Sequence, residues 1–126
     1  MAKRIITTDN APQAIGPYAQ GTHASNLIFT SGQLPLNPQS GELIDEIKAA
    51  TKQSLENVKA ILTAAGAKMS DILKVTVFLR NMNDFTAMNE VYAQYFPTDP
   101  PARSAVQVAR LPKDAVIEIE AIALIS

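Results

Sequence analysis

The stretch that decides the fold lies near the carboxyl end of the chain: PPARSAVQVARLP at residues 100–112, followed by VIEIEAIAL at residues 116–124. Both runs alternate with a period of two, which is typical of β-strands, and a proline-containing turn separates them. Alternation places Arg103 on one face of the first strand and places Glu118 and Glu120 together on one face of the second. The two runs therefore predict a pair of strands at the end of the fold.

Charged groups in so apolar a region need an explanation, because a buried charge is costly unless it is paired or hydrogen-bonded. A guanidinium can grip a carboxylate at two points, so Arg103 is suited to bind an anionic small molecule. A glutamate in the same pocket, Glu118 or Glu120, could then move a proton. The alternative is structural: Arg103 and one glutamate form an ion pair, or the glutamates line a solvated sheet face.

Hydrophobic periodicity divides the rest of the chain into strands and helices. The clearest element is a helix over residues 47–65, whose apolar residues fall on one stripe and which Gly66 follows as a C-terminal cap. A second helix begins after cap residues at positions 81–84 and ends near Phe96, ahead of Pro97. The remaining apolar runs predict strands at residues 3–8, 18–23, 27–33 and 72–79, with a hairpin turn at 24–26.

This order, β-β-β-α-β-α-β-β, predicts an α+β fold with a mixed six-stranded sheet. Strand–helix–strand connections are right-handed, so both helices are expected on one face of the sheet. The other face is rich in aliphatic side chains, and we expect a partner to cover it. By local pattern alone, the last two strands would form a simple hairpin.

Composition narrows the class of protein. A chain of 126 residues, 47% of them hydrophobic, predicts a single domain over residues 1–126. The net charge of −1, without a basic tract, argues against nucleic-acid binding. The chain contains no Cys, which rules out disulfides and thiolate chemistry and fits a cytoplasmic protein. We expect no signal peptide, no membrane span and no metal site, because no apolar run is long enough and no ligand cluster is visible.

Several motifs earlier in the chain resemble those of one family. They are AIGPYAQG at residues 14–21, TSGQLP at 30–35, SLENVKAIL at 54–62, Ala65-Gly66 and NEVY at 89–92. With the carboxyl-terminal stretch they cover residues 11–124 in order. The set resembles the Rid family, also called YjgF, of reactive-intermediate (enamine/imine) deaminases.

The resemblance implies a chorismate-mutase-like fold in which the final strand inserts between earlier strands. It also implies a homotrimer with the sheets in a central barrel, the helices outside and active sites in clefts between subunits. The implied reaction hydrolyses enamines and imines such as 2-aminoacrylate and 2-aminocrotonate to 2-keto acids and ammonia, without a cofactor. A ligand of this kind, a 2-imino or 2-keto acid, is the expected small-molecule partner.

Residue roles follow from the same resemblance. Arg103 matches the arginine that binds the substrate carboxylate, and Glu118 matches the glutamate that positions or activates water. Tyr18 matches a tyrosine at the cleft, where it supplies a hydroxyl donor and one wall. Glu120 lies on the same face as Glu118, so the pattern leaves open which of them faces the pocket.

Four further residues are expected to contribute to substrate binding. Ser31 and Gly32 match a segment that lines the ligand pocket. Asn89 on the second helix matches a further family segment, and it either reaches a neighbouring subunit's pocket or lies on the helix surface. Ala105 stands where many relatives carry Cys, so any contribution from this position is made without a thiol. Ser31 is not expected to be a nucleophile, because no histidine–acid pair accompanies it.

Two other functions use the same motifs. The first is a regulatory trimer that binds a keto acid or amino acid without turnover, and tight binding without rate enhancement would favour it. The second is an endoribonuclease or translation inhibitor, an activity attributed to some relatives. It ranks last, because the chain has one histidine and no basic stripe.

Overall fold

The protein folds into a six-stranded sheet with two helices on one face. The structure is a computed structural model and describes residues 2–126. The helices are α1 (Ile47–Ala64) and α2 (Phe85–Tyr95). The strands are β1 (Arg4–Ile6), β2 (Gly21–Ala24), β3 (Leu27–Thr30), β4 (Ile72–Leu79), β5 (Ala102–Gln107) and β6 (Ile117–Leu124). The predicted α+β class and the order of the elements are confirmed.

Strand order in the sheet is β1-β2-β3-β6-β4-β5. β6 lies between β3 and β4, antiparallel to both, while β5 runs parallel to β4 at the edge. The hairpin suggested by local pattern is therefore wrong, and the inserted final strand implied by the family resemblance is confirmed. The central position suits β6, because one of its faces is buried along its length at Ile117, Ile119, Ala121 and Ala123.

Both helices begin and end close to the predicted positions. α1 starts after Glu46, whose carboxylate accepts hydrogen bonds from the backbone N–H groups of Lys48 (2.7 Å) and Ala49 (3.0 Å). It ends at Ala64, and Gly66, two residues further on, has a φ of +86° that suits a residue without a side chain. α2 ends at Tyr95, two residues before Pro97.

The strand predicted over residues 18–23 is shorter in the structure and begins only at Gly21. The side chain of Gln20 explains the difference, because it binds a neighbouring loop. Its Nε2 donates to the carbonyl oxygens of Thr8 (2.9 Å), Ala11 (3.2 Å) and Pro12 (2.8 Å). Tyr18 therefore lies in a loop rather than at the start of a strand.

The sheet has one face covered by the helices and one open face. Residues paired across neighbouring strands share a face, so Ile5, Thr22, Phe29 and Ile122 form one row on the open side. Exposed apolar side chains on this side include Ile5, Leu27, Phe29, Val106 and Leu124. The predicted uncovered apolar face is present, and surfaces of this kind are typical of protein–protein interfaces.

Candidate active site

Strand register separates the two residues predicted to share a pocket. Arg103 pairs with Val75, which is fully buried under the helices. Glu118 pairs with Phe78, which lies three residues after Val75 on β4. Because side chains alternate along a strand, Phe78 and Glu118 lie on the open face, opposite to Val75. Within one chain, Arg103 and Glu118 therefore lie on opposite faces of the sheet. A pocket that contains both residues must lie between two chains, as the family resemblance implies, and this cleft stays a prediction.

The first group of predicted residues surrounds a cavity on the open side, which we call the carboxylate pocket. Its volume is about 620 Å³, and its lining includes Tyr18, Ser31, Gly32, Glu118 and Glu120. The segment after β3 places these residues together, because Gln33 and Ile119 exchange backbone hydrogen bonds of 2.7 and 3.1 Å. This bridge brings Gly32 beside Glu118.

Gly32 is required here by its contact with Glu118. A Cβ atom at position 32 would lie 1.8 Å from Glu118 Oε2 and 2.7 Å from its carboxyl carbon. Any side chain would therefore push the carboxylate out of its position. The glycine was expected to let a ligand approach the backbone, whereas in the structure it makes room for the glutamate.

The two glutamates of the carboxylate pocket differ in electrostatics. Burial raises the pKa of the Glu118 carboxyl above its ordinary value, and the nearby charge of Glu120 raises it further. Neither glutamate forms an ion pair within residues 2–126. Glu118 is thus a partly desolvated carboxylate without a cationic partner among residues 2–126, a state suited to accepting and releasing a proton.

Loop residues Tyr18 and Ser31 form another part of this pocket. The Ser31 hydroxyl donates to the carbonyl oxygen of Ala19 at 2.5 Å, and its backbone N–H donates to that of Gln20 at 2.8 Å. Ser31 therefore fastens the loop that carries Tyr18 and keeps only acceptor capacity for a ligand. Tyr18 is 51% exposed, so its ring stands at the pocket as a free wall.

The second group surrounds a cavity of about 400 Å³ beside α2, which we call the arginine pocket. Its lining includes Asn89, Tyr92, Phe96 and Arg103. Arg103 Nη1 donates to Asn89 Oδ1 at 2.7 Å, and the guanidinium carbon lies 4.6 Å from the centre of the Tyr92 ring. The ring of Phe85 is 5.4 Å away. These contacts hold the guanidinium by stacking and one hydrogen bond.

Asn89 contacts Arg103 within the same chain, where its side-chain oxygen accepts a hydrogen bond from the guanidinium. Its expected contribution to a neighbouring subunit's pocket stays a prediction. No carboxylate within residues 2–126 pairs with Arg103, so the structural ion pair is absent within the chain. The remaining guanidinium N–H groups are free to grip a carboxylate.

Sequence reasoning missed the aromatic platform under Arg103. Phe85, Asn89 and Tyr92 stand at positions i, i+4 and i+7 of α2, and this spacing places them on one helix face. That spacing was the available signal, but such a stripe is equally typical of a core-facing helix. Ala105 lies on the helix side of β5, paired with Val77, and lines neither pocket.

One cavity larger than the arginine pocket lies outside the predicted site. A groove of about 530 Å³ beside α1, lined by residues such as Asn37, Gln53 and Thr63, contains none of the predicted site residues. Across residues 2–126, no cluster of three or more His, Asp or Glu side chains could hold a metal ion. Neither described helix is long and apolar enough to cross a bilayer.

Comparison with known proteins agrees with this fold and these motifs. The family model described as Endoribonuclease L-PSP matches residues 8–125. The chain belongs to this family, which is the Rid (YjgF) family that its motifs resemble.

Relatives of similar length give the comparison more detail. A RutC family protein of Pyrococcus horikoshii is 57% identical, over 96% of this chain and 97% of the relative. The 2-iminobutanoate/2-iminopropanoate deaminase of Escherichia coli is 54% identical, over 96% of this chain and 97% of the relative. The crystal structure of E. coli TdcF with bound serine superposes with a TM-score of 0.95 at 53% identity, covering 98% of this chain and 99% of that one.

Proposed function

We propose that this protein hydrolyses reactive enamine and imine intermediates to 2-keto acids and ammonia. A pair of complementary groups supports this proposal most directly. One is a stacked guanidinium without a carboxylate partner among residues 2–126, and the other is a partly desolvated carboxylate packed against Gly32. The relative named as a 2-iminobutanoate/2-iminopropanoate deaminase supports this substrate class.

Each group has a defined task in this reaction. The Arg103 fork binds the substrate carboxylate and orients the imine carbon. Ionised Glu118 accepts a proton from water as the water oxygen bonds to that carbon. Return of this proton to the nitrogen gives a carbinolamine. Its hydroxyl proton is then transferred to the nitrogen, and the carbon–nitrogen bond breaks, so imine and water become keto acid and ammonia. Tyr18 closes one side of the pocket.

The complete site requires more than one chain. The arginine pocket and the carboxylate pocket lie on opposite faces of the sheet, so a ligand touching both must lie between two copies. The exposed apolar face supports an assembly in which sheets pack together. We therefore propose a homotrimer with a central barrel, acting in the cytoplasm without a cofactor, a membrane or a nucleic-acid partner.

A coupled assay tests the proposed function. A threonine dehydratase supplies the imine, and the rate of keto-acid formation is followed with wild-type protein, Arg103→Lys and Arg103→Ala. We expect clear acceleration by the wild type, a partial loss for Arg103→Lys and a loss of roughly 100- to 1,000-fold for Arg103→Ala.

Other outcomes point to other functions. Keto-acid binding in calorimetry without acceleration of hydrolysis would identify a regulatory binding protein, a possibility supported by the serine bound to TdcF. Salt-sensitive cleavage of RNA by protein free of nuclease contamination would identify the ribonuclease named in the family description.

A further inference from the structure

The turn between β5 and β6 holds two consecutive residues in an unfavourable backbone conformation. Lys113 has φ of +59° and Asp114 has φ of +55°. Neither is glycine, and the left-handed region is disfavoured for residues with a Cβ atom. A conformation of this kind persists only when surrounding contacts fix it, and such sites concentrate where function needs them.

Contacts on three sides fix this turn. Arg80 Nη1 donates to the carbonyl oxygen of Asp114 at 2.7 Å, and Arg110 Nε donates to the Asp114 carboxylate at 2.9 Å. The backbone N–H of Asp114 also donates to Leu111 at 3.1 Å. All of these contacts hold Asp114. They fix the backbone beside Lys113, and none of them occupies its ammonium group.

Lys113 lines the carboxylate pocket together with Glu118 and Glu120. It is the one cationic residue among the residues of 2–126 that line this cavity, and it forms no ion pair within that range. A pocket with two carboxylates repels an anionic substrate, and in a partly desolvated cleft this repulsion is weakly screened. A cation at the rim reduces that repulsion.

We propose that Lys113 determines specificity for anionic substrates by attracting their carboxylate into the carboxylate pocket. This role rests on the proposed deaminase function and adds a second cation to the one supplied by Arg103. Lys113 acts on the entry of the substrate and leaves the chemical step to Glu118.

Charge and backbone conformation can be tested separately at this position. Lys113→Asn and Lys113→Gly remove the charge but tolerate positive φ, whereas Lys113→Arg keeps the charge. In the coupled assay we expect the first two to raise KM about fivefold with kcat changed less than about twofold, and Lys113→Arg to behave as wild type. The rise in KM should shrink at high salt, because salt screens the lost attraction.

Binding supplies a readout independent of turnover. Calorimetry with a 2-keto acid and the matching neutral 2-keto amide should show weaker binding of the acid alone in Lys113→Asn. Lys52→Gln on the exposed surface of α1 removes one positive charge elsewhere and is expected to change neither ligand.

The results separate this inference from the proposed function. Wild-type KM and binding in Lys113→Asn and Lys113→Gly, with Arg103→Ala inactive, would overturn the role of Lys113 and keep the deaminase. A loss of activity in Lys113→Arg equal to that in Lys113→Asn would also overturn it, since charge would not be the cause. Absence of turnover by the wild type would reject the deaminase function itself. If Lys113→Asn also bound the keto acid as tightly as the wild type does, the role of Lys113 would be rejected as well.

Discussion

The arginine pocket and the carboxylate pocket hold their charged groups in different ways. Arg103 lies on the rings of Tyr92 and Phe85 and uses one nitrogen on Asn89. Glu118 instead packs against the backbone of Gly32 and loses solvent there, which raises its pKa. A guanidinium stays charged under any physiological condition, whereas a desolvated carboxylate titrates. The surroundings therefore suit one pocket to constant anion binding and the other to proton transfer.

The two pockets also face in opposite directions. α2 forms one wall of the arginine pocket on the helix side of the sheet, while the carboxylate pocket opens on the uncovered face. A site that needs both functions must combine the arginine pocket of one chain with the carboxylate pocket of another. Mixing chains that each lack one of the two charged groups tests this requirement directly.

Mixed assemblies of two inactive variants should recover activity. Arg103→Ala keeps an intact carboxylate pocket, and Glu118→Gln keeps an intact arginine pocket. If neighbouring chains contribute one pocket each, random mixing in a trimer gives about one quarter of sites with both groups intact. We expect co-refolded mixtures to reach about that fraction of wild-type activity in the coupled dehydratase assay.

The control uses the same first variant. Mixing Arg103→Ala with the double variant Arg103→Ala/Glu118→Gln provides no chain with Arg103, so activity should stay at the level of the variants. Failure of the first mixture to exceed this control, with mixed assemblies demonstrated by mass spectrometry, would show that the two pockets do not combine across chains.

Gly32→Ala should displace Glu118 without removing it. The added Cβ would lie 1.8 Å from Glu118 Oε2, so the carboxylate must move by at least an ångström. Displacement of this size in a catalytic group lowers activity by about 100-fold. The coupled assay measures the loss, and calorimetry checks that binding of a 2-keto acid to Arg103 persists.

Gly41→Ala is the matched control for this glycine. Gly41 has φ of +77° and no atom within 4 Å of an added Cβ, so the change affects the backbone alone. We expect a loss of roughly 1 kcal/mol in the free energy of unfolding with activity retained. Equal activity of Gly32→Ala and Gly41→Ala would show that the close contact between Gly32 and Glu118 does not position the carboxylate.

The sequence predicted elements better than it predicted contacts. The bounds of α1 follow from the apolar stripe and Gly66, both of which are local signals. The position of β6 does not, because insertion between β3 and β4 depends on pairing between residues far apart in the chain. Only the family resemblance predicted it.

The candidate site shows the same division. Arg103, Glu118 and Gly32 are identifiable from motifs. Which face of the sheet Arg103 and Glu118 occupy depends on the register between strands, and the pattern within a single strand does not specify that register. The rings beside Arg103 and the charge of Lys113 were missed for a related reason. Their roles arise from packing of α2 and from a strained turn that no local sequence signal indicates.

Tyr92 tests the platform of the arginine pocket. Its hydroxyl is buried without a hydrogen-bond partner among the described residues, so Tyr92→Phe should leave activity unchanged and cost little stability. Tyr92→Leu removes the ring below the guanidinium and should raise KM about tenfold, with a smaller change in kcat. An equal KM for the Phe and Leu variants in the coupled assay would show that stacking does not orient Arg103.

Glu120→Gln should give the smallest effect, a shift in pH dependence. The charge of Glu120 opposes ionisation of Glu118 and so raises its pKa. Removal of that charge lets Glu118 ionise at lower pH, and the acid limb of kcat/KM should move to lower pH, in a profile measured at constant ionic strength. Glu118→Gln should remove this limb together with the activity.

Stability supplies the matching measurement. Because folding raises the pKa of Glu118, ionisation of this residue at neutral pH lowers the stability of the folded state. This cost disappears below the unfolded-state pKa of 4.5, where Glu118 is protonated in both states. Glu118→Gln should therefore raise the melting temperature at neutral pH and lose that advantage in acid. A higher melting temperature of Glu118→Gln that persists below pH 4.5 would mean that packing, rather than the desolvated charge, separates the variant from the wild type. The difference between the carboxylate pocket and the arginine pocket would then lose its electrostatic basis.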